Sequence, residues 1–130
     1  MDRRILIVDD DGLVRGLCRA TLEDAGYLVT EAGNGREALA AVEQTSFDLI
    51  VLDLCMPDMD GFEFLRAVRV ESPDLKIIGM SGFMGGTMLA AAKLYGAAAA
   101  LAKPFSPQAL VSAVGEVLSD EAAPGSETSL

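Results

Sequence analysis

Four strand-length, largely apolar runs in this chain each hand over to residues that carry charge or a hydroxyl. Ile5–Val8 leads into Asp9, Asp10 and Asp11, Leu49–Leu52 into Asp53, Leu75–Met80 into Ser81, and Ala97–Ala102 into Lys103. Brought together, Asp9, Asp10, Asp53, Ser81 and Lys103 offer carboxylates, a hydroxyl and an ammonium. Two carboxylates in contact repel by about 4 kcal/mol near a protein surface, so such a set needs a compensating cation. All-oxygen ligands with few protein side chains suit Mg²⁺. Taken singly, each residue has a plainer reading: Asp53 merely ends a strand, Asp9 to Asp11 favour a helix N-terminus, Ser81 is a loop serine and Lys103 a solvated strand end. Only a common location overturns those readings.

The elements between these residues supply that location. Leu13, Val14, Leu17, Cys18 and Leu22 recur at helical spacing after the first run, and Gly26 closes that helix. Tyr27–Ala32 alternates as a less buried strand, and Asn34-Gly35 turns into a helix through Ala38, Leu39 and Val42. After the all-apolar third strand, Pro57, Asp58, Asp60 and Gly61 end the sheet, and Asp60 starts a third helix burying Phe62, Leu65 and Val68. A glycine-rich loop from Ser81 to Gly86 precedes a fourth helix from Thr87 to Gly96, and Ser106-Pro107 starts a fifth carrying Leu110, Val111, Val114, Val117 and Leu118.

Strand and helix signals alternating five times imply an α/β fold, a parallel sheet with helices on both faces. Every strand then points its carboxyl end at one edge, the edge where open α/β sheets bind ligands. Asp9, Asp10, Asp53, Ser81 and Lys103 all fall there.

Composition bounds the function. The 130 residues, 51% apolar, make one domain. Twenty acidic against ten basic residues leave a net charge of −10, which argues against nucleic acid or an anionic membrane as direct partner. Cys18 and Cys55 show no paired or metal-ligand spacing, the N-terminus is no signal peptide, and a reducing cytoplasm is the simplest location. From Asp120 to Leu130 there is almost nothing to bury, so residues 1–119 are expected to fold and 120–130 to form a disordered acidic tail. Gly82–Gly86 lacks the phosphate-loop pattern, and Asp58–Gly61 lacks the ligand spacing of a calcium loop.

VDDD near the start, the run into LDLCMPDMDG, SG after IIGM, and KPF after an alanine-rich strand together resemble the receiver domain of bacterial two-component response regulators, over residues 3 to 118. The resemblance implies a flavodoxin-like, doubly wound sheet of strand order 2-1-3-4-5 with five helices. It implies Asp53 as phosphoacceptor from a histidine kinase or histidine phosphotransfer protein. Asp10 and, through water, Asp9 would hold Mg²⁺ together with Asp53 and the carbonyl of Cys55; Ser81 and Lys103 would contact the phosphoryl oxygens. The protein would catalyse only its own phosphorylation and dephosphorylation, and signal by changed docking to a downstream protein, as a free-standing regulator or shuttle unless the chain is a fragment.

Two features depart from that family pattern. Ala100 stands where receivers usually carry an inward-swinging aromatic ring, and the hydroxyl residue is Ser81 where threonine is common. Cys55 and Phe83, two residues beyond Asp53 and Ser81, would flank the approach of a hydrolytic water and position it poorly. A phosphohydrolase of the haloacid dehalogenase type is the alternative, but its second aspartate would fall at Cys55. A receiver-like module that never takes phosphate is the other.

Overall fold

The computed structural model describes residues 2–56, 61–82 and 96–122. Five strands, β1 (Arg4–Val8), β2 (Leu28–Ala32), β3 (Leu49–Asp53), β4 (Lys76–Ser81) and β5 (Ala99–Ala102), form one sheet in the order β2-β1-β3-β4-β5, every pair parallel. The order, and the parallel sheet itself, are those expected. Among the described residues four helices flank it: α1 (Gly12–Asp24), α2 (Gly35–Gln44), α3 (Gly61–Glu71) and α4 (Pro107–Ala122). The helix expected from Thr87 lies outside the described residues, as do Pro57 to Asp60 and Phe83.

Parity along the strands divides the core. Leu6, Val8, Ile50 and Leu52 face one way, into a cluster with Ala38 from α2 and Phe64, Leu65 and Val68 from α3. Ile5, Ile7, Leu49 and Val51 face the other way, against Cys18 and Leu22 from α1 and Leu110, Val114 and Val117 from α4. Apolar residues on both parities are what a sheet covered on both faces requires. Burial at about 25 cal/mol per Å² of apolar surface makes these two clusters the main source of stability.

The helix boundaries follow local chemistry. Asp11 caps α1, its carboxylate accepting from the N–H groups of Leu13 and Val14. Asn34 caps α2, its Oδ1 accepting from Glu37 N–H at 2.8 Å, and Glu37 Oε1 reaches back one residue past the cap to accept from Gly33 N–H at 2.8 Å. Ser106 Oγ accepts from Ala109 N–H at the start of α4, with Pro107 in the first turn. Gly26 ends the α1 turn at φ +101°, a conformation that side chains disfavour.

Two expectations need correction. The buried stripe of α1 is narrower than its apolar residues suggest: Cys18 and Leu22 are buried, Val14 is half-buried, and Leu13 and Leu17 remain 74% and 62% exposed. Positions 14, 18 and 22 stack one turn apart on the sheet side, and Leu13 and Leu17 lie about 100° around the helix from them. The last helix runs through Ala122, beyond the boundary expected at residue 119; residues 123–130 lie outside the described set.

Candidate functional site at the carboxyl edge of the sheet

β1 and β3 are paired with Ile7 opposite Val51 and Val8 opposite Leu52, so the next residue on each strand, Asp9 and Asp53, emerges beside the other. Both keep the parity of Ile7 and Val51, which turns them toward the α1 and α4 side. Asp9 is fully buried; its N–H donates to Ala32 O at 3.2 Å and its Oδ1 accepts from Asp11 N–H at 2.9 Å. Asp53 is 6% exposed, and its Oδ1 accepts from Cys55 N–H at 3.1 Å. Asp10 is exposed at the rim, yet one carboxylate oxygen from each of Asp9, Asp10 and Asp53 lies within 4.8 Å of the others.

β5 delivers the ammonium. Lys103 N–H donates to Ser81 O at 2.9 Å, continuing the β4–β5 ladder past Ala102, and the peptide to Pro104 is cis. Gly82 permits the close approach: a Cβ there would meet Lys103 Cβ at 3.2 Å. Lys103 Nζ reaches Asp9 Oδ2 at 2.7 Å and Asp53 Oδ2 at 3.5 Å. Ser81 is the buried last residue of β4, in register with Ala102. Cys55 is half-buried just beyond Asp53, and Ala100 pairs with Gly79, two small residues side by side.

Burial and neighbouring charge set the electrostatics of the cluster. Burial pushes the Asp53 carboxyl up to about 6, with the charges of Asp9 and Asp10 adding to the rise and Cys55 N–H and Lys103 opposing it. For Lys103 burial acts downward, but the hydrogen bond to Asp9 and the carboxylates of Asp53 and Asp9 raise it overall, so it stays charged. Two buried carboxylates and a third beside them against one ammonium leave net negative charge. That surplus, with an all-oxygen donor set, fits a hard divalent cation such as Mg²⁺.

Sequence reasoning missed Arg15. Its Nη1 donates to Asp9 O at 2.8 Å and its Nε to Glu31 Oε1 at 3.0 Å, while Arg19 Nη1 takes the other Glu31 oxygen at 3.2 Å. The spacing of Arg15 on α1 marks it only as a polar-face residue; its pairing with an acid on β2 is visible once β2 lies beside β1.

A parallel α/β domain with paired aspartates, a hydroxyl and a lysine on its carboxyl edge defines a phosphoryl-handling class rather than a nucleotide-binding one. Residues 5–115 match the response regulator receiver domain, and the chain belongs to that family. It is 35% identical to the chemotaxis protein CheY of Thermotoga maritima over 90% of this chain and 98% of that one. It is likewise 35% identical to the sporulation initiation phosphotransferase F of Bacillus subtilis, over 91% and 95% of the two chains. Among solved structures, the CheY-like receiver domain protein of Methanospirillum hungatei superimposes with a TM-score of 0.90 at 33% identity, covering 96% of this chain and all of that one. Vibrio cholerae CheY4 does so at 0.84 and 38%, covering 90% of this chain and 99% of that one.

Proposed function

We propose that this chain receives a phosphoryl group on Asp53 from the phosphohistidine of a kinase or phosphotransfer protein, and passes the signal on by altered docking to another protein. The observation that carries this reading is the meeting of Asp9, Asp10, Asp53 and Lys103 on one sheet edge in a receiver fold. A carboxylate oxygen of Asp53 attacks phosphorus; the P–N bond of the donor breaks, its electron pair leaves with the imidazole nitrogen, and that nitrogen takes a proton from solvent. The product is an acyl phosphate. Asp10 and Asp53, with Asp9 and the Cys55 carbonyl, would hold Mg²⁺, which when bound cancels repulsion between the anionic nucleophile and the anionic phosphoryl group. Lys103 supplies a fixed ammonium beside Asp53 and Ser81 a buried hydroxyl one strand away, both suited to charge that develops on phosphoryl oxygens.

The donor's approach has apolar support. A cleft of about 480 Å³ lined by Val14, Leu17, Cys18, Lys103, Pro104 and Phe105 opens beside the site, with Leu13 exposed on the same helix. No helix among the described residues is long and apolar enough to cross a membrane. The position two residues beyond Asp53, where a phosphohydrolase of the haloacid dehalogenase type carries its second aspartate as general acid, is Cys55, so turnover of a small phosphate ester is not expected.

Intact mass after incubation with acetyl phosphate and Mg²⁺ tests the proposal. A single phosphoryl gain is expected, absent in Asp53→Asn and absent with chelator. Phosphate release without a mass gain would indicate a phosphohydrolase, and neither result a non-phosphorylated binding module.

A further inference from the structure

Asp10 is the odd member of the acidic cluster. Asp9 and Asp53 are buried and hydrogen-bonded, whereas among the described residues nothing hydrogen-bonds the exposed Asp10 carboxylate. Its oxygen nevertheless lies within 4.8 Å of the other two. What aims it is the backbone on either side. The peptide group before Asp10 is pinned through Asp9 O, which accepts from Arg15 Nη1 at 2.8 Å. The peptide group after it is pinned through Asp11 N–H, which donates to Asp9 Oδ1 at 2.9 Å. With both flanking peptides fixed, the direction of the Asp10 Cα–Cβ bond is fixed.

Arg15 is itself held from two sides. Its Nε donates to Glu31 on β2 at 3.0 Å, and its fork lies over the bare backbone of Gly33, where a Cβ would come within 3.2 Å of Nη1. A planar guanidinium makes both bonds at once, one to a carboxylate and one to a carbonyl; a lysine at the same place has one nitrogen on a flexible stem. Arg15 touches a carbonyl and not a carboxylate of the cluster, so its direct contact fixes backbone geometry and does not occupy a ligand oxygen.

We propose that Arg15 is a positioning residue for Asp10: by holding the Asp9 carbonyl against β2 it presets the acidic cluster and thereby sets its affinity for Mg²⁺. This rests on the reading of the cluster as a Mg²⁺ site. Partners that orient metal ligands typically change metal affinity by about 10–100-fold when removed, because the ligand must otherwise be ordered at the moment of binding.

Calorimetric titration of the full chain with Mg²⁺ tests it, alongside denaturation without metal to establish that each variant is folded. The wild type binds. Arg15→Lys and Arg15→Met are expected to lose about tenfold or more in affinity, and Glu31→Gln, which loosens the anchor, to fall between. Arg19→Met breaks the outer arm of the same network without touching Asp9 and is expected to stay within about twofold of wild type. With acetyl phosphate as donor, the Mg²⁺ concentration for half-maximal labelling should rise in the Arg15 variants while the plateau rate stays. Should Arg15→Met fail to fold, Arg15→Lys and Glu31→Gln carry the comparison. Folded Arg15 variants with wild-type affinity, or equal losses in Arg15 and Arg19 variants, overturn the positioning role. A wild type that binds no Mg²⁺ overturns the metal-site reading and the role with it.

Discussion

Lys103 stands closer to Asp9 than to Asp53: Nζ is 2.7 Å from Asp9 Oδ2 and 3.5 Å from Asp53 Oδ2. In the unphosphorylated protein the ammonium therefore serves first as counter-ion to a fully buried carboxylate. Removing it strands that charge. Lys103→Met should cost about 2–4 kcal/mol without Mg²⁺, somewhat under the figure for a fully buried pair because Lys103 is partly exposed. Urea denaturation of the two proteins measures this directly; a loss below about 0.5 kcal/mol, the range of neutral surface substitutions, would contradict the assignment.

Asp53 should make the metal-free protein pH-sensitive in an identifiable direction. Its folded value, about 6, lies above the ordinary 3.8, so the neutral acid is favoured by folding. The stability this contributes is full below the unfolded value and is lost as pH rises through about 6. In chelator, Asp53→Asn should be more stable than wild type at pH 7 by about 3 kcal/mol, and the gap should mostly close by about pH 4. Comparing the two proteins cancels the titration of carboxylates outside the Asp9, Asp10 and Asp53 cluster. A gap independent of pH would remove the basis for the raised value.

Leu17, 62% exposed beside the cleft that opens at Lys103, should separate protein donors from small ones. Leu17→Asp should change stability by no more than about 0.5 kcal/mol. Phosphotransfer from a histidine-phosphorylated protein should slow by about tenfold, the effect of about 1.4 kcal/mol at an interface centre, while labelling by acetyl phosphate is unchanged. Equal effects on both donors would show that the substitution acts on the site and not on docking.

Arg69 holds the opposite end of the molecule. Its guanidinium donates to the carbonyls of Ser72, Pro73 and Leu75 after α3 and to Gly96 before β5. Gly96, at φ +96°, lies where a Cβ would come 3.1 Å from Arg69 Nε. Arg69→Met takes the guanidinium from the Pro73, Leu75 and Gly96 carbonyls, while Ser72 O keeps its bond from Leu75 N–H, and a loss of about 2–3 kcal/mol is expected with the rate of acetyl phosphate labelling unchanged. A stability loss accompanied by equal loss of labelling would mean that the clasp reaches the carboxyl edge.

The parts of this architecture legible in the sequence were those written locally. Four of the five strands, all but the alternating β2, are largely apolar runs, and each site residue is the polar residue at or just past the end of one, so Asp9, Asp53, Ser81 and Lys103 could be placed on one edge before any pairing was known. The caps at Asp11 and Ser106 are equally local. Contacts between distant segments were not legible: Arg15 and Glu31 are sixteen positions apart and meet only because β2 lies beside β1. Nor does periodicity say how wide a helix's buried stripe is: Leu13 and Leu17 share the helical spacing of Cys18 and Leu22 yet stay exposed, while Phe64 on α3 is fully buried.

The alternation that sends Ile7 and Val51 to one face and Val8 and Leu52 to the other also governs how this chain can change. A strand advances in steps of two faces, so inserting a single residue within Ile5–Val8 or Leu49–Leu52 would carry Asp9 or Asp53 through the sheet to the wrong side. Two residues would restore the side but displace the acid along the edge. The strands thus behave as a ruler read modulo two, intolerant of odd errors, whereas connections at the amino edge outside the Arg69 clasp carry no such parity constraint. Variation in length among functional relatives should accumulate in those connections and stay out of the strands that carry the two aspartates.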